Sequence, residues 1–237
     1  MGTVYRIDPS TGAATTLPAL PSRAHDVAGA FIAGRALVLG GGWQTESSDV
    51  QAVGTSPSVV GHLPRPRADL ATVTTGAATY VVGGYDGHDA LADVLRTTDG
   101  THFDVVTQLP VPVRYAALAV LGSTLWVFGG DLGTVDTDTI QAIDLTTRTA
   151  TVAGHLPATL GHASAFVLHG TAWVVGGRAG GAPSANIRRF DPTTRSVSVV
   201  GKLPIPVRDA AVAVVGTTAY LLGGQSPNPI NDVVVLR

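Results

Sequence analysis

The chain contains no cysteine, one methionine, one lysine and one glutamate. The absence of cysteine excludes disulfides, thiolate nucleophiles and cysteine-based metal sites, and it leaves the redox compartment open. Because nearly all charged residues are Arg and Asp, the surface lacks the Lys and Glu that favour helices. Apolar residues occur only in short runs, none long enough to span a membrane. These absences predict an all-β protein with no membrane span in this chain.

The charge balance limits the possible partners. With 15 basic and 17 acidic side chains the net charge is −2, so we expect no broad attraction for nucleic acid or anionic lipid. The first residues lack the apolar stretch of a signal peptide. The compartment stays unknown, and one interpretation is an extracellular domain excised from a larger protein.

Five Leu-Pro pairs are each followed by Gly-Gly, and every such leucine precedes its first glycine by 20 residues. Successive leucines lie 43, 46, 47 and 47 residues apart. A constant spacing inside the unit and a variable one between units predict one module repeated five times, with length variation in loops. We therefore predict a single domain over residues 1–237. The pairs are Leu20-Pro21 with Gly40-Gly41, Leu63-Pro64 with Gly83-Gly84, Leu109-Pro110 with Gly129-Gly130, Leu156-Pro157 with Gly176-Gly177, and Leu203-Pro204 with Gly223-Gly224.

Each module predicts four short strands, a to d. Strand a is rich in small residues, strand b runs into the diglycine, and strands c and d flank a tight turn such as residues 191–194. Evenly spaced short strands without helical periodicity are typical of the four-stranded blades of a β-propeller. The small residues of strand a predict that it is the innermost strand.

The chain ends indicate how the propeller closes. Val4 to Gly12 matches the strand c to d hairpin Ile187 to Arg195, so the chain begins with c and d and ends with a, b and c. The total is 21 strands, one more than five closed blades need. We predict five four-stranded blades, closed by N- and C-terminal strands that share the last blade. The alternative is a longer array cut at both ends.

The segment from Val81 to His88, an apolar strand followed by Gly-Gly-Tyr-Asp-Gly, resembles the signature of the Kelch repeat. The resemblance extends over essentially the whole chain and implies a Kelch-type β-propeller, here with fewer modules than the family's usual six or seven. It also implies that ligands meet one mouth of the ring. In the family that mouth is formed by residues just after the diglycine and by residues that enter strand a.

Transferred position by position, the resemblance predicts ligand-binding residues at the mouth. After the diglycines they are Trp43, Tyr85, Asp86, Asp131, Arg178 and Gln225. At the entry to strand a they are Arg23, His25, Arg67, Arg114, Tyr115, His162 and Arg208. Aligned aspartates predict a possible acidic ring of Asp26, Asp69 and Asp209.

Polar residues at one position of a rotational repeat become neighbours in space. Arginine in such a ring can bind a carboxylate, and aromatic rings can stack on a sugar. The competing interpretation is that these Arg and Asp residues pair with one another and tie the blades together. The aspartates could bind a cation, but paired or solvated carboxylates fit five-fold spacing better. We predict no metal site and no cofactor.

Three functions compete. The leading hypothesis is a non-catalytic recognition or scaffold module, expected as a monomer, that binds a protein segment, glycan or small molecule at the mouth. The resemblance also allows an enzyme, a sugar isomerase similar to sialic acid mutarotase, with Arg114, Arg208, His162 and Asp69 at the channel mouth. No catalytic motif supports it, and the galactose oxidase type needs a cysteine that the chain lacks. The third is a purely structural or self-assembling propeller.

Overall fold

The computed structural model describes residues 2–237, and in that range it contains 21 β-strands and no helix. In chain order the strands are β1 (Val4–Ile7), β2 (Ala14–Leu17), β3 (Ala28–Ile32), β4 (Arg35–Leu39), β5 (Asp49–Ala52), β6 (Ser58–His62), β7 (Ala71–Thr75), β8 (Ala78–Val82), β9 (Asp93–Thr97), β10 (Asp104–Gln108), β11 (Ala117–Leu121), β12 (Thr124–Phe128), β13 (Thr139–Asp144), β14 (Thr149–His155), β15 (Gly161–Leu168), β16 (Thr171–Ala179), β17 (Ala182–Asp191), β18 (Ser196–Val207), β19 (Ala211–Val215), β20 (Thr218–Leu222) and β21 (Val233–Leu236).

The strands form antiparallel meander sheets. β3–β6, β7–β10, β11–β14 and β15–β18 are four-stranded, β19–β21 is three-stranded, and β1 pairs with β2. The protein is a five-bladed β-propeller, so the predicted all-β class and blade number are confirmed. The additional strand predicted from the sequence is also present. The sheet of β1 and β2 and the sheet of β19–β21 contain five strands in total. That those terminal strands share the last blade stays a prediction.

Contacts between Cα atoms divide the chain into two compact units. The first unit contains residues 2–89 and 94–106, and the second contains residues 90–93 and 107–237. The core of the first unit packs Leu37, Val50 and Val81 from consecutive sheets. In the second unit, Phe190 packs against Phe128 with ring centroids 4.9 Å apart. The single domain over residues 1–237 stays a prediction.

The diglycine allows two neighbouring modules to approach each other closely. At Gly129, φ is +59° and an added Cβ would lie 1.9 Å from the Leu160 carbonyl oxygen. The next residue, Gly130, donates its N–H to that same carbonyl at 2.9 Å. The first unit repeats the arrangement, since the Gly41 N–H donates to the Arg67 carbonyl at 2.8 Å. Only glycine combines this backbone conformation with this proximity.

In several modules a buried polar side chain forms hydrogen bonds with backbone groups of the same module, at a position that we call the polar slot. The amide of Gln141, fully buried, accepts from the Val111 N–H at 2.9 Å and donates to the Val111 carbonyl at 3.0 Å. Other modules fill comparable positions with arginine, which donates to a diglycine carbonyl instead. Arg67 donates to Gly83 at 3.0 Å and Arg188 to Gly176 at 3.0 Å. These side chains form hydrogen bonds with backbone groups that have no partner in the pairing of the strands.

We expect Gly129→Ala to destabilise the protein far more than Gly122→Ala. Both positions have positive φ, but a Cβ at Gly122 meets nothing within 4 Å, so only the backbone penalty of about 1 kcal/mol applies there. At Gly129 the clash with Leu160 adds to it, for a total of about 3 kcal/mol or more. Urea denaturation of both variants measures the difference. Equal losses of unfolding free energy in the two variants would show that the close approach at Gly129 does not stabilise the contact between these modules.

Candidate functional site

Each module brings the two predicted sets of mouth residues together through backbone hydrogen bonds. The Arg114 N–H donates to the Asp131 carbonyl at 3.0 Å, and the Asp131 N–H donates back to the Arg114 carbonyl at 2.7 Å. Arg208 and Gln225 form the same reciprocal couple, at 3.1 and 2.8 Å. We call each such couple a rim pair. The other rim pairs are His25 with Gly42, Ala68 with Tyr85, and Gly161 with Arg178.

The residue that follows each strand-a rim position has a left-handed backbone. In the second unit φ is +53° at Tyr115 and +58° at both His162 and Asp209. The His162 N–H donates to the Tyr115 carbonyl, and the Asp209 N–H to the His162 carbonyl, both at 3.0 Å. In the first unit the Asp69 N–H donates to the Asp26 carbonyl at 2.9 Å. Consecutive modules are thereby linked, and equivalent side chains become neighbours within each unit. Asp and His tolerate this conformation better than Tyr does.

Five side chains of the second unit, Arg114, Asp131, Asp136, His162 and Arg178, form what we call the Arg178 cluster. The Arg178 guanidinium donates to both oxygens of Asp136, at 2.8 and 2.7 Å, and to Asp131 Oδ2 at 2.7 Å. The side chains of Asp131 and Asp136 are 6% and 7% exposed. One guanidinium therefore joins two buried carboxylates, in the bidentate geometry that suits arginine.

The remaining lone pairs of Asp131 are also occupied. Its Oδ1 accepts from the Gly133 N–H at 2.5 Å and from Arg114 Nε at 3.4 Å. Burial alone would raise the pKa of Asp131, but the Gly133 N–H and the Arg178 and Arg114 guanidinium groups outweigh burial and lower it. The pKa of Arg178 is raised, chiefly by its hydrogen bonds to Asp136. These groups therefore stay ionised across the physiological range.

His162 lies beside this ion network. Its Nδ1 lies 2.5 Å from Asp209 Oδ1, and because a carboxylate can only accept, Nδ1 is the protonated nitrogen. Its ring stacks on Tyr115, with centroids 4.0 Å apart and planes 22° apart. Arg208 completes the arrangement, with its guanidinium 3.3 Å from Asp209 and 2.7 Å from the Gln225 side chain. His162 Nε2 is buried and has no hydrogen-bond partner among residues 2–237.

Asp131, Asp136 and His162 are also chemically able to hold a cation. One potential ligand atom of each lies within 4.8 Å of the others. Carboxylate oxygen and imidazole nitrogen together suit zinc. Arg178, however, already supplies a positive charge to both carboxylates at hydrogen-bond distance. A metal ion would therefore have to compete with the guanidinium for both carboxylates.

In the first unit the mouth residues are more open. His25 Nδ1 lies 2.7 Å from Asp26 Oδ2, and both side chains are exposed. The His25 ring meets Trp43 edge-on, with centroids 6.3 Å apart, and Trp43 is 53% exposed. Arg23 is exposed nearby in sequence. This stretch presents an indole ring, an imidazole and a guanidinium to solvent.

Tyr85 and Asp86 are half-buried. Asp86 Oδ1 accepts from the Asp89 N–H at 3.0 Å and the His88 N–H at 3.1 Å. The Asp89 bond contributes most to lowering the pKa of Asp86, and Arg65, 3.6 Å away, lowers it further. Asp86 therefore shapes its own loop.

Arg67 requires a correction. The sequence places it at the mouth, but its side chain is 0% exposed and donates to the Gly83 carbonyl. It has no surface to offer a ligand, so its predicted ligand contact is wrong. The module that contains Arg67 has Leu95, not glutamine, at the strand-c position of Gln141, and the arginine fills the polar slot instead. The ligand contacts of the other mouth residues, and the acidic ring, stay predictions.

Asp136, which binds Arg178 through both carboxylate oxygens, is not among the site residues predicted from the sequence. It lies in the loop after the diglycine and pairs by an isolated β-bridge with Asp131. That loop varies in length between modules, so the constant Leu-Pro to Gly-Gly frame assigns Asp136 no equivalent position. The one available signal is a carboxylate a few residues before strand c, and Glu46 has the corresponding bridge to Gly42 in the first unit.

The architecture and the rim define a protein of the β-propeller class. No model of a known protein family and no curated protein sequence matches the chain. Among solved structures it is similar to that of YjhT, with a TM-score of 0.85 and 16% identity over 99% of this chain and 88% of YjhT. At this identity the likeness shows the fold alone. Within residues 2–237, no helix is long and apolar enough to cross a membrane.

We expect Arg178→Ala to cost about 3 kcal/mol of unfolding free energy, because it leaves the buried Asp136 carboxylate without its arginine and leaves Asp131 with only Arg114, at 3.4 Å. Zinc should restore part of the loss, since Asp131, Asp136 and His162 remain. Arg148→Ala, at an exposed arginine of the same unit, is the control and should change stability by less than about 0.5 kcal/mol. Thermal unfolding with and without zinc measures both effects. A loss equal to that of the control would contradict the pairing.

The stability that Asp131 contributes should depend on pH. Its folded-state pKa is lowered below the usual 3.8, so the contribution is fully present above pH 3.8 and is lost as pH falls through the folded value. Asp131→Asn should therefore lower unfolding free energy at pH 7, and the difference from wild type should shrink towards pH 2. Urea unfolding between pH 2 and 7 tests this, with the exposed Asp232→Asn as control. A pH-independent difference would refute the charge argument.

Proposed function

We propose that the protein is a non-catalytic recognition module of the Kelch type that binds a protein segment or a glycan through its rim pairs and their neighbours. The observation that carries this proposal is that the groups fit for acid–base chemistry are engaged with one another. The side chains of Asp131, Asp136 and His162 are all less than one-tenth exposed. Arg178 holds the two aspartates and Asp209 holds the histidine.

A general acid or base must come within hydrogen-bond reach of its substrate. His162 Nε2, the free nitrogen of the pair with Asp209, is enclosed in the protein. A network of mutually paired charges resists rearrangement and gives rigid support to the rim residues of the second unit. Such support favours binding over turnover.

The exposed side chains of the first unit supply the binding chemistry. Trp43 presents an amphipathic ring to solvent, and large exposed aromatic rings are over-represented in recognition surfaces. His25 supports that ring from its edge. An aromatic platform beside hydrogen-bonding groups suits the face of a sugar ring or a peptide side chain.

Sugar isomerisation is the second candidate. It is favoured by the short His162 to Asp209 hydrogen bond with Tyr115 stacked on the imidazole. Because Nδ1 donates to Asp209, Nε2 is the acceptor nitrogen of the imidazole. This candidate needs a rearrangement that opens His162 to solvent, and the recognition proposal needs none.

The test compares binding and turnover in the same samples. We expect wild-type protein to retain members of a peptide library or a glycan array, and Trp43→Ala to lose them without a change in melting temperature. Phe31→Ala is the matched control, because Phe31 is 67% exposed in the same unit but lies in β3, outside the rim pairs.

The competing outcome is catalysis. If the protein accelerates anomer interconversion of N-acetylneuraminate, followed by proton NMR, and His162→Gln abolishes the acceleration, the non-catalytic proposal fails. His155→Gln, at an exposed histidine paired with Asp138, controls for the loss of an imidazole.

A further inference from the structure

A cavity of about 230 Å³ lies on one face of the β11–β14 sheet, in the second unit. It is separate from the rim pairs, because its lining comes from the opposite ends of these strands, away from the diglycine. The polar side chains that line it are Thr124, Thr149, Thr151, Asp144, Arg195 and the indole-bearing Trp126. We call it the threonine cavity.

Strand register explains why these residues share one surface. Thr124 pairs with Asp144, which pairs with Thr149, and Trp126 pairs with Ala142 in the next row. Side chains of paired residues, and of rows two residues apart, lie on the same face of a sheet. The small side chain of Ala142 leaves open space in the middle of this face. The β17–β18 turn supplies the cover through Arg195.

Three polar groups of the cavity are available to a ligand. Trp126 is 6% exposed, and its Nε1–H has no partner among residues 2–237. An unpaired buried donor of this kind is costly and uncommon. Arg195 and Thr151 are both exposed, so the guanidinium and the hydroxyl face solvent and are accessible to a ligand.

The cavity carries charge of both signs. Asp144 Oδ1 accepts from the Thr147 and Thr146 N–H groups, which lower its pKa and keep it ionised. Arg195 brings a permanent positive charge. A ligand with a net charge would meet one charge of its own sign, whereas neutral hydroxyl groups can donate to the carboxylate and accept from the guanidinium and indole.

We propose that the threonine cavity binds a neutral polyhydroxylated molecule the size of a single sugar ring. The volume lies below the range of about 300–1,000 Å³ of drug-sized pockets, so an oligosaccharide would project from it. The site is independent of the recognition role proposed for the rim.

The chain contains matched variants for the test. Arg195 has φ of +55° at the last position of its hairpin turn, Arg148 has φ of +60° at the equivalent position of its own turn, and Gly12 occupies that position in the first hairpin. Glycine is therefore compatible with both turns. Arg195→Gly removes a cavity group, while Arg148→Gly makes the same change outside the cavity.

Titration with D-glucose, D-galactose and D-mannose, followed by ¹H–¹⁵N NMR, tests the proposal. The chain has three tryptophans, so three indole N–H signals are expected, and Trp126→Phe assigns one of them. At least one sugar should shift the Trp126 signal. The indole N–H of Trp173, which also has no partner among residues 2–237 and lines a different cavity, reports separately on that cavity. Arg195→Gly should weaken binding about tenfold, the effect of one lost hydrogen bond to a charged group, and Thr151→Val about threefold, because the Thr151 hydroxyl is neutral and exposed. Arg148→Gly should not.

Three results would overturn the proposal. The first is no shift of the Trp126 signal with any neutral sugar at 100 mM. The second is equal binding by Arg195→Gly, Thr151→Val and Arg148→Gly. The third is a shift with gluconate or glucosamine but not with the neutral sugars, since this would assign the cavity to a charged ligand.

Discussion

The close approach of one module's diglycine to the backbone of the following module is the constraint on which the rest of the structure depends. Within the second unit, the Leu160 carbonyl accepts the Gly130 N–H and lies against the Cα of Gly129. This hydrogen bond fixes where the segment before strand a enters its blade. The segment carries a strand-a rim residue and the left-handed residue after it. A backbone contact therefore positions the side chains that give the rim its chemistry.

This contact explains why one interval is constant in all five modules while the length of another segment varies. The interval from Leu-Pro to Gly-Gly is constant at 20 residues because each module supplies one end of two such contacts. The segment after its Leu-Pro meets the diglycine of the preceding module, and its own diglycine meets the following module. The loop after the diglycine takes no part in this contact, and its length varies between modules. Asp136 belongs to that loop, yet it supplies the bidentate partner of Arg178. Variation between modules is therefore tolerated where the chemistry differs.

The same division decides what could be predicted. The blades, the number of strands and the meeting of mouth residues follow from periodicity, because backbone pairing obeys the repeat. The environment of a side chain does not, as Arg67 shows. Its sequence position matches the mouth, but its side chain is buried and donates to the Gly83 carbonyl, in a blade that has Leu95 at the strand-c position of Gln141. The local sequence near Arg67 does not reveal this burial, because the strand-c residue of the same blade lies 28 positions away.

The pairing of charges determines which side chains of the rim remain available to a ligand or substrate. A ring of Arg, Asp and His can serve binding or catalysis, and the difference lies in which groups remain uncommitted. In the second unit, Arg178 neutralises Asp131 and Asp136, and Asp209 fixes the tautomer of His162. Opening either pair would leave a buried charge or donor without a partner, at a cost comparable to a large part of a domain's stability. The proposed recognition role does not require these pairs to open, and the pairs hold the rim residues of the second unit in place.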